Sequence, residues 1–104
     1  MTKNELVKEV MMNMPEYAMV LECTKWKYDD CIYEFYDSEE DEQFSLNEDK
    51  LVKGFDLMFK DFNDKKLEGI RQSMGDDIFD PGNWDATCVM ALVEYAIYGK
   101  LMFC

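Results

Sequence analysis

Twenty-one consecutive residues, Asp29 to Asp49, carry ten acidic side chains and no basic one. Like charges packed this closely repel one another, so the acidic side chains must face water. Within the run, residues 31–36 (CIYEFY) alternate between inward positions, which are Cys31, Tyr33 and Phe35, and outward positions. This is the period of a strand with one buried face. The acidic run therefore predicts short antiparallel strands joined by charged turns.

The neighbouring sequence supplies partners for that strand. Residues 16–26 also alternate, Lys27 to Asp30 is typical of a turn, and Asp37 to Glu42 forms a second one. We predict a hairpin of Glu16–Trp26 and Cys31–Tyr36, followed by a short third strand, Gln43–Leu46. Placing Glu22 and Glu34 on the solvent face puts Cys23 and Cys31 on the inner face, close to opposite one another.

Helical signals flank the strands. Thr2 with Glu5 forms a capping box, and Asn47 precedes the clearest amphipathic stripe of the chain, which consists of Leu51, Phe55, Met58 and Phe62 with Val52 and Phe59. Asp85 and Gly99 bracket the last apolar segment as N-cap and C-terminal residues. Four helices are predicted: one after Thr2, one from Asn47 to Asn63, one from Asp64 to Gly75 and one from Asp85 to Gly99.

These elements define the expected fold. The order is α-β-β-β-α-α-α, an α+β domain in which about four helices pack on one face of a three-stranded antiparallel sheet. A chain of 104 residues provides one hydrophobic core, so residues 1–104 are predicted to form a single domain.

Composition excludes several functions. The net charge of −12 opposes binding to nucleic acid or to an anionic membrane, and the absence of histidine removes the commonest general base and zinc ligand. The four cysteines form no CxxC pair and the glycines form no phosphate loop, so we expect no metal, no cofactor and no catalysis. With no signal peptide and no apolar stretch long enough to span a membrane, we expect a soluble cytoplasmic protein.

The acidic run is the candidate binding surface. A localised charge of one sign attracts a cationic partner, and exposed aromatic side chains add apolar contact. The alternative is a solvated turn that protects an edge strand from unwanted pairing. The predicted partner-binding residues are Trp26, Asp29, Asp30, Glu34, Tyr36, Asp37, Glu39, Glu40, Asp41, Glu42, Glu48 and Asp49.

Two resemblances point to a class of protein. The segment Asp85 to Leu101 (DATCVMALVEYAIYGKL) resembles the closing helix of small phage-encoded proteins, in which an aromatic-glycine step follows an apolar helix. The size, acidity and α+β order of the whole chain are similar to those of phage anti-defence inhibitors, the anti-CRISPR and DNA-mimic proteins. This chain departs from the extreme mimics because residues 1–28 and 50–75 are close to neutral.

The sequence thus favours a phage-encoded inhibitor in the host cytoplasm. Its acidic surface would dock in the basic groove of a nucleic-acid-binding host protein, such as a nuclease or a CRISPR effector. The alternative is a homo-oligomeric structural or small-ligand-sequestering module, assembled through the apolar segment Leu101–Phe103. Light scattering with and without residues 101–104 would distinguish the two. The sequence leaves open whether Cys23 and Cys31 pair.

Overall fold

The computed structural model describes residues 2–12, 17–18, 21–64 and 78–100. Their strands form one antiparallel sheet in the order β1-β2-β3-β4, and the α+β class is confirmed. The elements in chain order are helix α1 (Lys3–Met11), strands β1 (Tyr17–Ala18), β2 (Leu21–Lys27), β3 (Ile32–Asp37) and β4 (Glu42–Leu46), helix α2 (Glu48–Asn63), a 3-10 turn (Pro81–Asn83) and helix α3 (Ala86–Tyr98).

The helix ends follow the predicted capping signals. The capping box of Thr2 and Glu5 is formed at the start of α1, and the side chains of Asn47 and Asp85 accept backbone N–H groups of α2 and α3. Gly99 ends α3 with a φ of 76°, a left-handed conformation that glycine adopts without steric cost. No helix in the described part of the chain has the length and apolar composition needed to cross a membrane.

The helices cover the inner face of the sheet. The predicted stripe of α2 is buried at all four of its main positions, and it packs against α3, the most apolar helix. The two helices approach closely at Gly54, where an added Cβ would lie 2.7 Å from the Cα of Ala96. The predicted helix Asp64–Gly75 lies outside the described residues, apart from Asp64 itself, which caps the end of α2.

The predicted sheet needs two corrections of boundary. The long strand Glu16–Trp26 is instead two strands, β1 and β2, which pair with each other antiparallel. Alternation shows which face a residue occupies but not where the chain reverses, so it could not locate this break. The next strand is displaced by one residue from its predicted range Cys31–Tyr36, although the predicted inward residues Cys31, Tyr33 and Phe35 are all buried.

The prediction that Cys23 and Cys31 oppose each other is wrong. Cys23 pairs with Phe35, whereas Cys31 is the last residue of the turn between β2 and β3 and has a φ of 52°. The ladder closes at Lys27 and Ile32, so a residue in that turn has no partner along β2. A bulge between Cys23 and Lys25 shifts the register further. Both thiols are buried and neither forms a disulfide.

Candidate functional site

Strand β3 separates the predicted acidic surface into two groups. It connects two turns of four residues each, the β2–β3 turn (residues 28–31) and the β3–β4 turn (residues 38–41). Because β3 is extended over six residues, these turns lie roughly 20 Å apart. Asp29 and Asp30 are at one end of the sheet, and Glu39 to Glu42 are at the other.

The second group is an exposed cluster of four carboxylates, which we call the acidic turn. It consists of Glu39, Glu40, Asp41 and Glu42, all of which are exposed. None of the four lies within ion-pair distance of a lysine in the described part of the chain. Among the described residues, the negative charge of this turn is therefore not balanced by an ion pair.

The acidic turn is held from beneath by Asp37. The Asp37 side chain is only 1% exposed, and its Oδ1 accepts the backbone N–H groups of Glu39 at 2.9 Å and Glu40 at 3.1 Å. Its Oδ2 accepts the hydroxyl of Tyr98, at the end of α3. These bonds, led by the one from Tyr98, hold the pKa of the Asp37 carboxyl below its usual range. Asp37 thus positions the turn from the core and is not part of the exposed surface.

The sequence predicts Asp37 to be one of the exposed acids, whereas the structure buries it. The available signal was the alternation of β3, because Asp37 follows Cys31, Tyr33 and Phe35 at two-residue intervals and all four are buried. The role of Tyr98 had no local signal, since it lies 61 residues away from Asp37 in the chain.

A second hydrogen bond fixes the far end of the acidic turn. Asp41 has a φ of 53°, a left-handed conformation that aspartate tolerates better than most residues. Its Oδ1 accepts the hydroxyl of Tyr36, a half-buried residue on the outer face of the sheet. This hydrogen bond is the main cause that raises the pKa of Tyr36. Both ends of the turn are therefore fixed by carboxylate–tyrosine contacts.

The opposite end of the sheet is partly neutralised. Asp30 lies 3.3 Å from the Nζ of Lys27, and Glu48 lies 2.7 Å from the Nζ of Lys8. The bonds to Glu48, first from Lys8 and then from Asn4, lower its pKa. Asp49 is exposed in the first turn of α2, where the helix dipole favours an anion. Midway between the two ends, Glu34 lies 3.8 Å from the Nζ of Lys25.

The two predicted aromatic contacts are not brought together. Trp26 is 42% exposed and pairs with Tyr33 near the β2–β3 turn, whereas Tyr36 pairs with Gln43 near the acidic turn. Opposite residues of an antiparallel pair point to the same face. Trp26 consequently shares the face of the buried Tyr33, and Tyr36 shares the outer face with Gln43. The structure places only Tyr36 beside the acidic turn.

Two of the buried cysteines have raised pKa values. Burial raises the pKa of the Cys31 thiol, and burial together with the side chain of Asp85 raises that of Cys88 to about 12, so both are protonated at neutral pH. No group of three or more cysteine, aspartate or glutamate side chains in the described ranges is arranged to hold a metal ion.

The chain matches no protein-family model, no curated protein and no solved structure.

Proposed function

We propose that this chain is a non-catalytic inhibitor that docks its acidic turn in the basic groove of a nucleic-acid-binding protein. The observation that carries the proposal is the acidic turn itself, with four exposed carboxylates that form no ion pair with the described lysines. Such a groove is lined with lysine and arginine to bind phosphates, and closely spaced carboxylates compete for the same side chains.

The rigidity of the acidic turn supports this function. Asp37 and Tyr36 fix the backbone of the turn before any partner binds, so the backbone has little conformational entropy to lose on binding. Electrostatic attraction of this kind raises the association rate and weakens as salt is added.

The proposed targets follow from the class the sequence resembles. Phage anti-defence inhibitors act on host proteins that handle nucleic acid, so a bacterial nuclease or CRISPR effector is the first class to test. The aromatic side chain of Tyr36 is placed to add contact at the border of the acidic turn.

The test compares two variants of equal charge. The first neutralises the acidic turn (E39Q, E40Q, D41N and E42Q), and asparagine retains the left-handed conformation at position 41. The matched control neutralises four exposed acids outside the predicted partner-binding set, namely Glu9, Asp56, Asp64 and Asp80. Each tagged protein is used to capture partners from bacterial lysate at low and high salt, and captured proteins are then tested for competition with duplex DNA.

We expect the wild type and the control to capture a DNA-binding protein at low salt. Capture should be lost with the acidic-turn variant and at high salt, and the captured protein should be released from DNA by the inhibitor. Equal capture by both variants would contradict it. Capture that resists high salt would place the interface on an apolar surface, and recovery of only the chain itself would favour self-assembly. The segment Leu101–Phe103, which motivates self-assembly, lies outside the described residues.

A further inference from the structure

Strand β4 is the last strand of the sheet, and the direction of its backbone groups can be established at Ser45. The carbonyl of Glu34 on β3 accepts the hydroxyl of Thr24 on β2, so the backbone groups of Glu34 face β2. Ser45 is the antiparallel partner of Glu34, so its own N–H and C=O face away from β3. Lys50 confirms this direction, because its Nζ reaches the Ser45 carbonyl at 3.0 Å.

The backbone groups of Gln43, two residues before Ser45, point in the same direction as those of Ser45. Backbone groups alternate along a strand, so the N–H and C=O of Gln43 also face the outer edge of β4. Sheet pairing in the described part of the chain ends at β4. Gln43 and Ser45 therefore direct two donors and two acceptors to this edge, and Lys50 occupies one acceptor.

A groove runs along this edge. It has a volume of about 390 Å³ and is lined by the β4 residues 43–46, by Lys50, and by Ala96 and Ile97 from the last turns of α3. A strand added to a sheet lies roughly 4.8 Å from its neighbour and directs alternate side chains to each face. The groove thus offers backbone pairing on one wall and an apolar surface for alternate side chains on the other.

The charges around the groove indicate the chemistry of the occupant. Glu42 begins β4 and continues into the acidic turn, so one end of the groove opens beside four carboxylates. A basic side chain at that end would lie beside carboxylates that lack ion pairs with the described lysines. An extended peptide is the ligand that pairs with exposed strand edges in other domains.

We propose that the edge of β4 accepts an extended, basic segment of the partner protein as an additional strand. Its backbone pairs with Gln43 and Ser45, its apolar side chains contact Ala96 and Ile97, and its lysine or arginine side chains lie beside the acidic turn. The basic character of the segment rests on the function proposed above, whereas the strand pairing rests on the geometry of β4. Lys50 must release the Ser45 carbonyl when the full ladder forms.

The test separates strand pairing from charge. One labelled peptide alternates lysine with valine, and a second peptide of the same length and charge has proline in place of valine, which prevents it from pairing as a strand. Binding of each to the full chain is measured by fluorescence anisotropy. We expect the valine peptide to bind about tenfold more tightly, from two or three additional backbone hydrogen bonds.

The variant Ser45→Pro examines the edge directly. Its proline removes an N–H that faces outward and leaves the bonds to β3 in place, so the variant is expected to fold and to lose the tenfold preference. A circular dichroism melt verifies folding. Amide hydrogen exchange of the wild type provides a second measurement that needs no variant. The amides of Gln43 and Ser45 should exchange about tenfold more slowly with the valine peptide and remain unchanged with the proline peptide.

Equal binding of the two peptides would overturn strand pairing and leave the electrostatic function intact. Binding of neither peptide, or unchanged exchange at Gln43 and Ser45, would also overturn it. The lysate capture described above uses charge variants and not peptides, so the proposed function can fail or succeed separately from this inference.

Discussion

The two turns of β3 have similar backbones and different surroundings. Each is four residues long, and each ends on a non-glycine residue with a positive φ, Cys31 in one turn and Asp41 in the other. In the β2–β3 turn that last side chain is a buried thiol, and Asp30 is paired with Lys27. In the β3–β4 turn the last side chain is an exposed carboxylate, and a buried carboxylate, Asp37, supports the backbone.

The difference indicates how a fold this small can carry concentrated charge. Four adjacent carboxylates repel one another, so the acidic turn would be expected to spread apart unless something opposes the repulsion. Bonds from the turn's own N–H groups to Asp37 provide that opposition, since charge-assisted hydrogen bonds are the stronger kind. The β2–β3 turn needs no such support because its charge is partly neutralised.

The largest expected effect comes from removing this support. Asp37→Ala leaves the Tyr98 hydroxyl and two turn N–H groups without their acceptor, so we expect the free energy of unfolding to fall by about 2–4 kcal/mol. Asp30→Ala, the control on the other turn, should change it by less than about 0.5 kcal/mol. Urea denaturation of both variants measures the difference. Similar losses of unfolding free energy in the two variants would show that the two turns do not differ in their support by a carboxylate.

The pH dependence of stability should show the support from Asp37 as a smaller effect. The pKa of Asp37 is lower in the folded chain than its unfolded value of about 3.9, so the folded state binds fewer protons in that range. Its contribution to stability is therefore present above about pH 4 and is lost as the pH falls through the folded pKa. Asp37→Asn should make unfolding less dependent on pH below pH 4 than it is in the wild type. Glu5 and Glu48, whose pKa values are also lowered, are common to both proteins and cancel in the comparison.

The contrast also explains what could be predicted from sequence. Capping at Thr2, Asn47, Asp85 and Gly99 was predicted because each signal is local and acts within one helical turn. The buried role of Asp37 was missed because a run of acids indicates exposure, and its partner Tyr98 is distant in the chain.

The division of the acidic run between two ends could not be predicted from charge counting. It depends on where β3 begins and ends, and strand boundaries are shifted by single residues through turn geometry. The bulge between Cys23 and Lys25 is a similar case, because the alternating residues around it give no sign of an extra one.

Glycine at the left-handed position should affect the two turns in opposite directions. Asp41→Gly relieves about 1 kcal/mol of backbone strain and removes the exposed acceptor of the Tyr36 hydroxyl, which contributes about 0.5 kcal/mol, so stability should be unchanged or slightly higher. Cys31→Gly gains the same relief but removes a side chain that is 1% exposed, so stability should fall by about 0.5–1 kcal/mol. Thermal melts of both variants measure these changes in stability. Shifts of the same sign would mean that the buried thiol contributes no packing energy.

The smallest expected effect tests whether unpaired charge is sufficient by itself to bind the partner. Lys27→Ala removes the lysine that lies 3.3 Å from Asp30, and a surface pair of this kind contributes less than about 0.5 kcal/mol to the free energy of unfolding. The β2–β3 turn would then also carry carboxylates that lack this ion pair, but with no buried carboxylate supporting its backbone. Added to the neutralised acidic turn, Lys27→Ala should therefore not restore capture of the partner. Restored capture would show that exposed charge at either end of β3 is enough and that the support from Asp37 serves stability alone.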